Sequence, residues 1–252
     1  MFLVAIAELA GPVDASVAPL AADLNTTAYE LKLLLNGGLP AVVLATVDEG
    51  LARAAIATVK RHKHVPVTCD RRLVVPSARM TALSAFAFSD SGVTADERGG
   101  EELPWSDIGA LLRATLRSST ETTQEIKERK FRPGMALATG GMVLSKKVTR
   151  EVTTRTEHRE QALYLFRRSG APPWVLNERG TRYGGLGADL RPTSLDNFQT
   201  AIRRIRERAP GAAYDERLMN GRPMRGVAEG STATDLFAYL LAKYLMRGSA
   251  EP

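Results

Sequence analysis

Cysteine is almost absent from this chain of 252 residues. The single Cys69 excludes an internal disulfide framework and fits a reducing compartment. Histidine is nearly as scarce, with three residues. His62, His64 and Cys69 have no zinc-type pair spacing, so solvated histidines and a small buried thiol are favoured over a metal site. No Ser/His/Asp set and no carboxylate pair can be argued from residue order, and His158 beside Glu157 lies in a polar stretch. No apolar run approaches the ~20 residues that span a bilayer. No basic residue precedes Lys32, so a secretory n-region is missing. These absences lead us to expect a soluble, cytoplasmic, non-enzymatic protein with no cofactor.

What is present is ordinary globular material. Apolar residues make up 44% and charged residues 25%, enough for one large domain or two small ones. The net charge of +6 is uneven. Residues 1–100 hold 9 basic against 10 acidic residues, and residues 101–252 hold 25 against 18. Any attraction to nucleic acid or an anionic surface therefore belongs to the C-terminal part.

The first 76 residues read as strand, helix, helix, strand, helix, strand. Phe2 to Leu9 is an apolar strand. Asp14 to Leu24 is weakly helical, with Pro19 expected to interrupt it. Thr27-Ala28-Tyr29-Glu30 has capping-box spacing and opens a helix through Leu35, stopped by Asn36-Gly37-Gly38. Pro40 to Val47 is a second strand. Thr46-Val47-Asp48-Glu49 repeats the capping-box spacing and starts a helix with Leu51, Ala54, Ala55, Thr58 and Val59 inward. Val65 to Cys69 is a strand that Pro66 assigns to a sheet edge. This pattern, carried by Thr27 to Leu31, Gly38 to Val42 and Glu49 to Val59, resembles the C-terminal domain of the ribosomal stalk protein and the Clp protease adaptor fold. The resemblance implies a small α/β sandwich module that binds other proteins.

Beyond a linker at Arg71 to Met80, residues 81–210 read as a β-meander closed by one helix. Strands are expected at Leu83 to Phe88, Val93 to Asp96, Leu103 to Leu116, Gln161 to Arg167 and Trp174 to Glu178. Turns fall at Ser89 to Gly92 and Arg98 to Gly100. The closing helix places Leu195, Phe198, Ile202, Ile205 and Ala209 on one stripe, after Thr193-Ser194 and before Pro210. Phe88, Asp90, Gly92 and the run Leu103-Pro104-Trp105-Ser106-Asp107-Ile108 resemble the opening of a bacterial pleckstrin-homology-like domain. That resemblance implies a core role for Trp105 and Phe198. Residues 117–160 depart from it, as an insertion or as irregular strands: polar from Ser118 to Arg132 with a short helix expected at Glu121 to Lys130, then small and apolar from Gly134 to Leu144, then a β-rich arm.

Residues 211–252 read as an extended segment to Gly230 and a helix from Thr232 to Met246, capped by Ser231, Thr232 or Asp235 and ended by Gly248. Its apolar residues cover most of its circumference, so it needs covering by its own body or by a second subunit, which would make a homo-oligomer. The fold class is thus α+β. Arg203, Arg204, Arg206 and Arg208 form the candidate binding residues, more often a solvated face with Glu207 than a phosphate grip. Tyr183-Gly184-Gly185-Leu186-Gly187 is a turn rather than a phosphate loop, since no strand-to-helix context follows it. The favoured function is protein binding or scaffolding, and the alternative is nucleic-acid or anionic-ligand binding through the basic part.

Overall fold

Leu3 to Ala7 are all buried in the computed structural model, which describes residues 1–96, 100–131, 145–220 and 230–247. The apolar stretch at 134–144, the turn at 98–99, the extended run at 221–229 and the helix stop at Gly248 lie outside the described residues. The protein is α+β. Its chain forms two compact units, residues 1–116 with 160–252 (the body) and residues 117–159.

The first sheet of the body has the order β2-β1-β3. Its strands are β1 (Phe2–Glu8), β2 (Ala41–Thr46) and β3 (Val65–Asp70), and both outer strands run antiparallel to β1. Three helices connect them: α1 (Val13–Asp23), α2 (Ala28–Asn36) and α3 (Glu49–Arg61). Pro19 does not break α1. It lies on the exposed side, while Val17, Leu20 and Ala21 anchor the helix in the core on either side of it. At the start of α2 the capping box forms: Thr27 Oγ1 accepts from the Glu30 amide at 3.1 Å, and the Thr27 amide donates to Glu30 Oε2 at 3.2 Å. The α3 cap sits two residues later than its spacing suggests. Asp48, not Thr46, accepts from the Gly50 and Leu51 amides, at 2.7 and 3.1 Å. The inward face becomes Ala52, Ala55, Thr58 and Val59, and Leu51 and Ala54 turn outward.

The second sheet has the order β11-β8-β9-β10-β4. It comprises β4 (Thr81–Ala82), β8 (Ile108–Phe131), β9 (Ser145–Arg167), β10 (Trp174–Asn177) and β11 (Ala213–Leu218). A third, small antiparallel sheet holds β5 (Ala87–Phe88), β6 (Gly92–Thr94) and β7 (Glu102–Pro104). Of the strand expected over Leu83 to Phe88 only Ala87–Phe88 forms, as β5; Leu83 bonds to Val175 beyond the end of β4, and Ala85 makes an isolated bridge to Arg182. The strand expected from Leu103 is divided by a 3-10 turn at Trp105–Asp107 that follows Pro104. The short helix expected at Glu121 to Lys130 is strand instead, since β8 continues to Phe131 beside β9. Strand β11, read as merely extended from sequence, pairs in parallel with β8.

Two more helices complete the body. Helix α5 is preceded in chain order by α4, a 3-10 segment at Tyr183–Asp189, and spans Ser194–Arg208. In α4, a Cβ on Gly185 would stand 1.9 Å from the Phe86 carbonyl oxygen. Gly185 is thus a close packing contact at which only glycine fits, and Gly187 is needed for its positive φ of 58°. Helix α5 buries Phe198, Ala201, Ile202 and Ile205 with Leu111, Leu163, Leu165, Trp174, Leu176 and Trp105. Leu195, at the start of its stripe, stays 38% exposed.

Helix α6 (Gly230–Arg247) is covered on two sides by its own body. Leu236 and Leu240 join Leu3, Ala5, Ala7, Val67 and Cys69 of the first sheet. Ala238, Leu241 and Ala242 join Ala110, Leu112, Tyr164, Phe166 and Val175 of the second. That accounts for an apolar circumference without a second subunit. Asp235 does not cap α6. It is buried, and accepts from the Tyr164 hydroxyl at 2.8 Å, the Ser77 amide at 2.9 Å and Ser77 Oγ at 3.3 Å. The Tyr239 hydroxyl accepts from the Val75 amide at 3.1 Å. The linker between the sheets is thereby held to α6.

Candidate functional site

The four arginines of α5 are each engaged within the body, and with different elements. Arg203 pairs with Glu207 at 3.1 Å along the helix. Arg204 pairs with Asp189 of α4. The Arg206 guanidinium lies 3.9 Å from the centre of the Tyr214 ring on β11, and that of Arg208 lies 5.3 Å from the Phe88 ring on β5. The ring contacts and the Asp189 pair engage Arg206, Arg208 and Arg204, whereas the Arg203–Glu207 pair is exposed on both sides and holds Arg203 only weakly. The four groups do not converge on one ligand position.

Arg203 does contribute to a shallow, open depression of about 330 Å³ with Arg191, Asp196, Gln199 and Thr200. Asn197 positions its rim. The Asn197 side chain accepts from the Arg191 amide at 2.6 Å and donates to the Arg191 carbonyl at 2.8 Å. Two guanidinium groups favour an anion there, and the Asp196 carboxylate opposes one.

The other titratable candidates serve structure. Among the described residues no group of three or more His, Cys, Asp or Glu could hold a metal ion. His62 pairs with Asp23 at 2.8 Å. His64 is buried, and its Nδ1 accepts from the Ala10 amide at 3.1 Å. The proton then sits on Nε2, which finds no partner. Burial holds this imidazole below its ordinary value and pushes the Cys69 thiol above its own. Burial also raises the Asp235 carboxyl, in a place closed to any substrate.

Large apolar side chains that the sequence alone does not reveal as outward stand exposed on α2, and others just after β2 and on α3. Leu31 and Leu35 point α2 into the core, which leaves Tyr29 77%, Leu33 61% and Leu34 42% exposed. Val47 follows β2 directly and is 83% exposed, and Leu51 on the first turn of α3 is 57% exposed. The composition of α2 was the available signal. In Tyr29-Glu30-Leu31-Lys32-Leu33-Leu34-Leu35 the apolar residues surround the helix, and one face of a short helix cannot bury them all. Leu51 was hidden by the misplaced cap. A set of large apolar side chains held outward on capped helices suits contact with another macromolecule.

No known protein family, curated protein or solved structure matches this chain. Among the described residues no helix is long and apolar enough to cross a membrane.

Proposed function

We propose that this is a non-enzymatic protein-binding or scaffolding protein, and that it engages its partner through the exposed apolar side chains of α2, with those that follow β2. The observation that carries this reading is the outward exposure of Tyr29, Leu33, Val47 and Leu51. Tyrosine and large aliphatic side chains supply most of the binding energy where they become buried at an interface. The resemblance of residues 1–76 to two protein-binding modules supports the same reading, with residues 81–210 as a pleckstrin-homology-like scaffold. Engagement of Arg204, Arg206 and Arg208 by three different elements disfavours the nucleic-acid alternative, which needs them to converge.

A photo-crosslinking amino acid placed at Leu33, and separately at Gln199 beside the basic depression, tests the proposal in cells. Protein adducts are expected from position 33 and none from position 199. The reading fails if position 33 yields no adduct, or if the purified parent binds random DNA or RNA tightly at physiological salt.

A further inference from the structure

Positive charge is divided unequally between the two units. The body holds 24 Lys and Arg against 23 Asp and Glu, whereas residues 117–159 hold 10 against 5. The smaller unit thus supplies most of the net charge of +6. Within that unit the charge is divided again. Residues 117–126 with 151–159 carry 3 basic against 4 acidic residues, and residues 127–150 carry 7 against 1.

The backbone gathers this charge at one place. Strands β8 and β9 are neighbours, and their body ends meet where the Arg168 amide donates to the Asp107 carbonyl at 2.6 Å. The opposite ends, Phe131 of β8 and Ser145 of β9, are therefore the two that residues 132–144 join. Lys127, Arg129 and Lys130 stand on the end of β8, and Lys146, Lys147 and Arg150 on the start of β9. Strands β10 and β11 pair with β9 and β8 only in the body. Among the described residues of the smaller unit, β8 and β9 have each other alone. Two strands are marginally stable in water by themselves, and like charges on neighbouring strands oppose one another. An anionic surface offsets both costs.

The sequence between the clusters selects the kind of anion. Residues 133–144 have no charge, and seven of the twelve are Ala, Val, Leu or Met. Phe131 is the single aromatic residue of 117–159, so the stacking platforms that grip single-stranded nucleic acid are missing. Contact with duplex phosphates would leave the apolar residues in water. Lysines and arginines on both sides of an apolar sequence suit a bilayer interface, where cations meet headgroups. We infer that this end of the β8–β9 pair docks on a bilayer bearing anionic phospholipids, with the six cations of the two strand ends as its headgroup contacts. The inference is independent of the protein-binding reading, which concerns the body.

The test uses the full chain with vesicles of phosphatidylcholine and phosphatidylglycerol in equal parts, and with vesicles of phosphatidylcholine alone. Co-sedimentation is expected with the first and not with the second. Lys127→Gln, Lys130→Gln, Lys146→Gln and Lys147→Gln together should weaken it more than about a hundredfold, since each cation near an anionic surface contributes roughly fivefold. Arg203→Gln with Arg208→Gln should leave it unchanged. An environment-sensitive fluorophore on Phe131→Cys supplies a readout that needs no charge variant, with the native Cys69 buried. Its emission should move to shorter wavelength on the anionic vesicles alone. A parent that ignores anionic vesicles, a fourfold variant that binds them as the parent does, or an unmoved emission at position 131 overturns the inference. Tighter binding of the parent to duplex DNA or RNA than to the vesicles also overturns it, and assigns the cluster to nucleic acid.

Discussion

At the scale of single residues, the body relies on a few buried polar groups. Replacing Asp235 by Ala strands the Tyr164 hydroxyl and the Ser77 amide, both of which it now accepts from. The expected cost is about 2–4 kcal/mol, read as a lower denaturant midpoint with unchanged slope. His64 makes the pH dependence specific. Its native imidazole is held below 6.5 by burial, so the unfolded chain takes up a proton first as pH falls. Stability from this group is complete above the unfolded value and drops as pH falls below it toward the native value. The difference in melting temperature between about pH 7.5 and about pH 5.5 should shrink in His64→Gln, whose side-chain carbonyl can still accept from Ala10. An equal difference in parent and variant would assign the acid sensitivity elsewhere.

At the scale of elements, two leucines on helices should behave oppositely. Leu240 is fully buried between α6 and the first sheet, so Leu240→Ala should cost about 2–5 kcal/mol in chemical denaturation. Leu33 is 61% exposed, and Leu33→Ser should leave stability within about 0.5 kcal/mol. Elements bounded by local chemistry were legible in the sequence. Thr27 with Glu30 defines α2, and Thr193 with the Phe198-Ile202-Ile205 stripe defines α5. What escaped depends on partners distant in sequence. Strand β11 is polar and acquires its identity from pairing with β8, about a hundred residues earlier. The shortening of Leu83 to Phe88 follows from its separate distant partners, Val175 for Leu83, Arg182 for Ala85 and β6 for Ala87–Phe88. The candidate surface escaped because an outward leucine reads like an inward one until the cap fixes the helix phase, as Asp48 does for Leu51.

At the scale of the body, α6 binds the two halves into one core. Residues 1–76 contain every strand of the first sheet, yet the face formed by Leu3, Ala5, Ala7, Val67 and Cys69 is completed by Ala233, Leu236 and Leu240. A fragment of residues 1–76 should consequently expose apolar surface and bind a hydrophobic dye, and a peptide of residues 230–247 should suppress that binding. A fragment that folds cooperatively without dye binding would show that the first sheet does not need its helix.

The protein-binding account is tested most directly by quantifying the proteins recovered with three tagged forms of the full chain: the parent, Tyr29→Ser with Leu33→Ser, and Arg203→Gln with Arg208→Gln. The account predicts that the α2 variant loses the proteins the parent retains, at unchanged melting temperature, and that the arginine variant keeps them. Retention by the α2 variant together with loss by the arginine variant would contradict it and move the working surface to the basic face of α5.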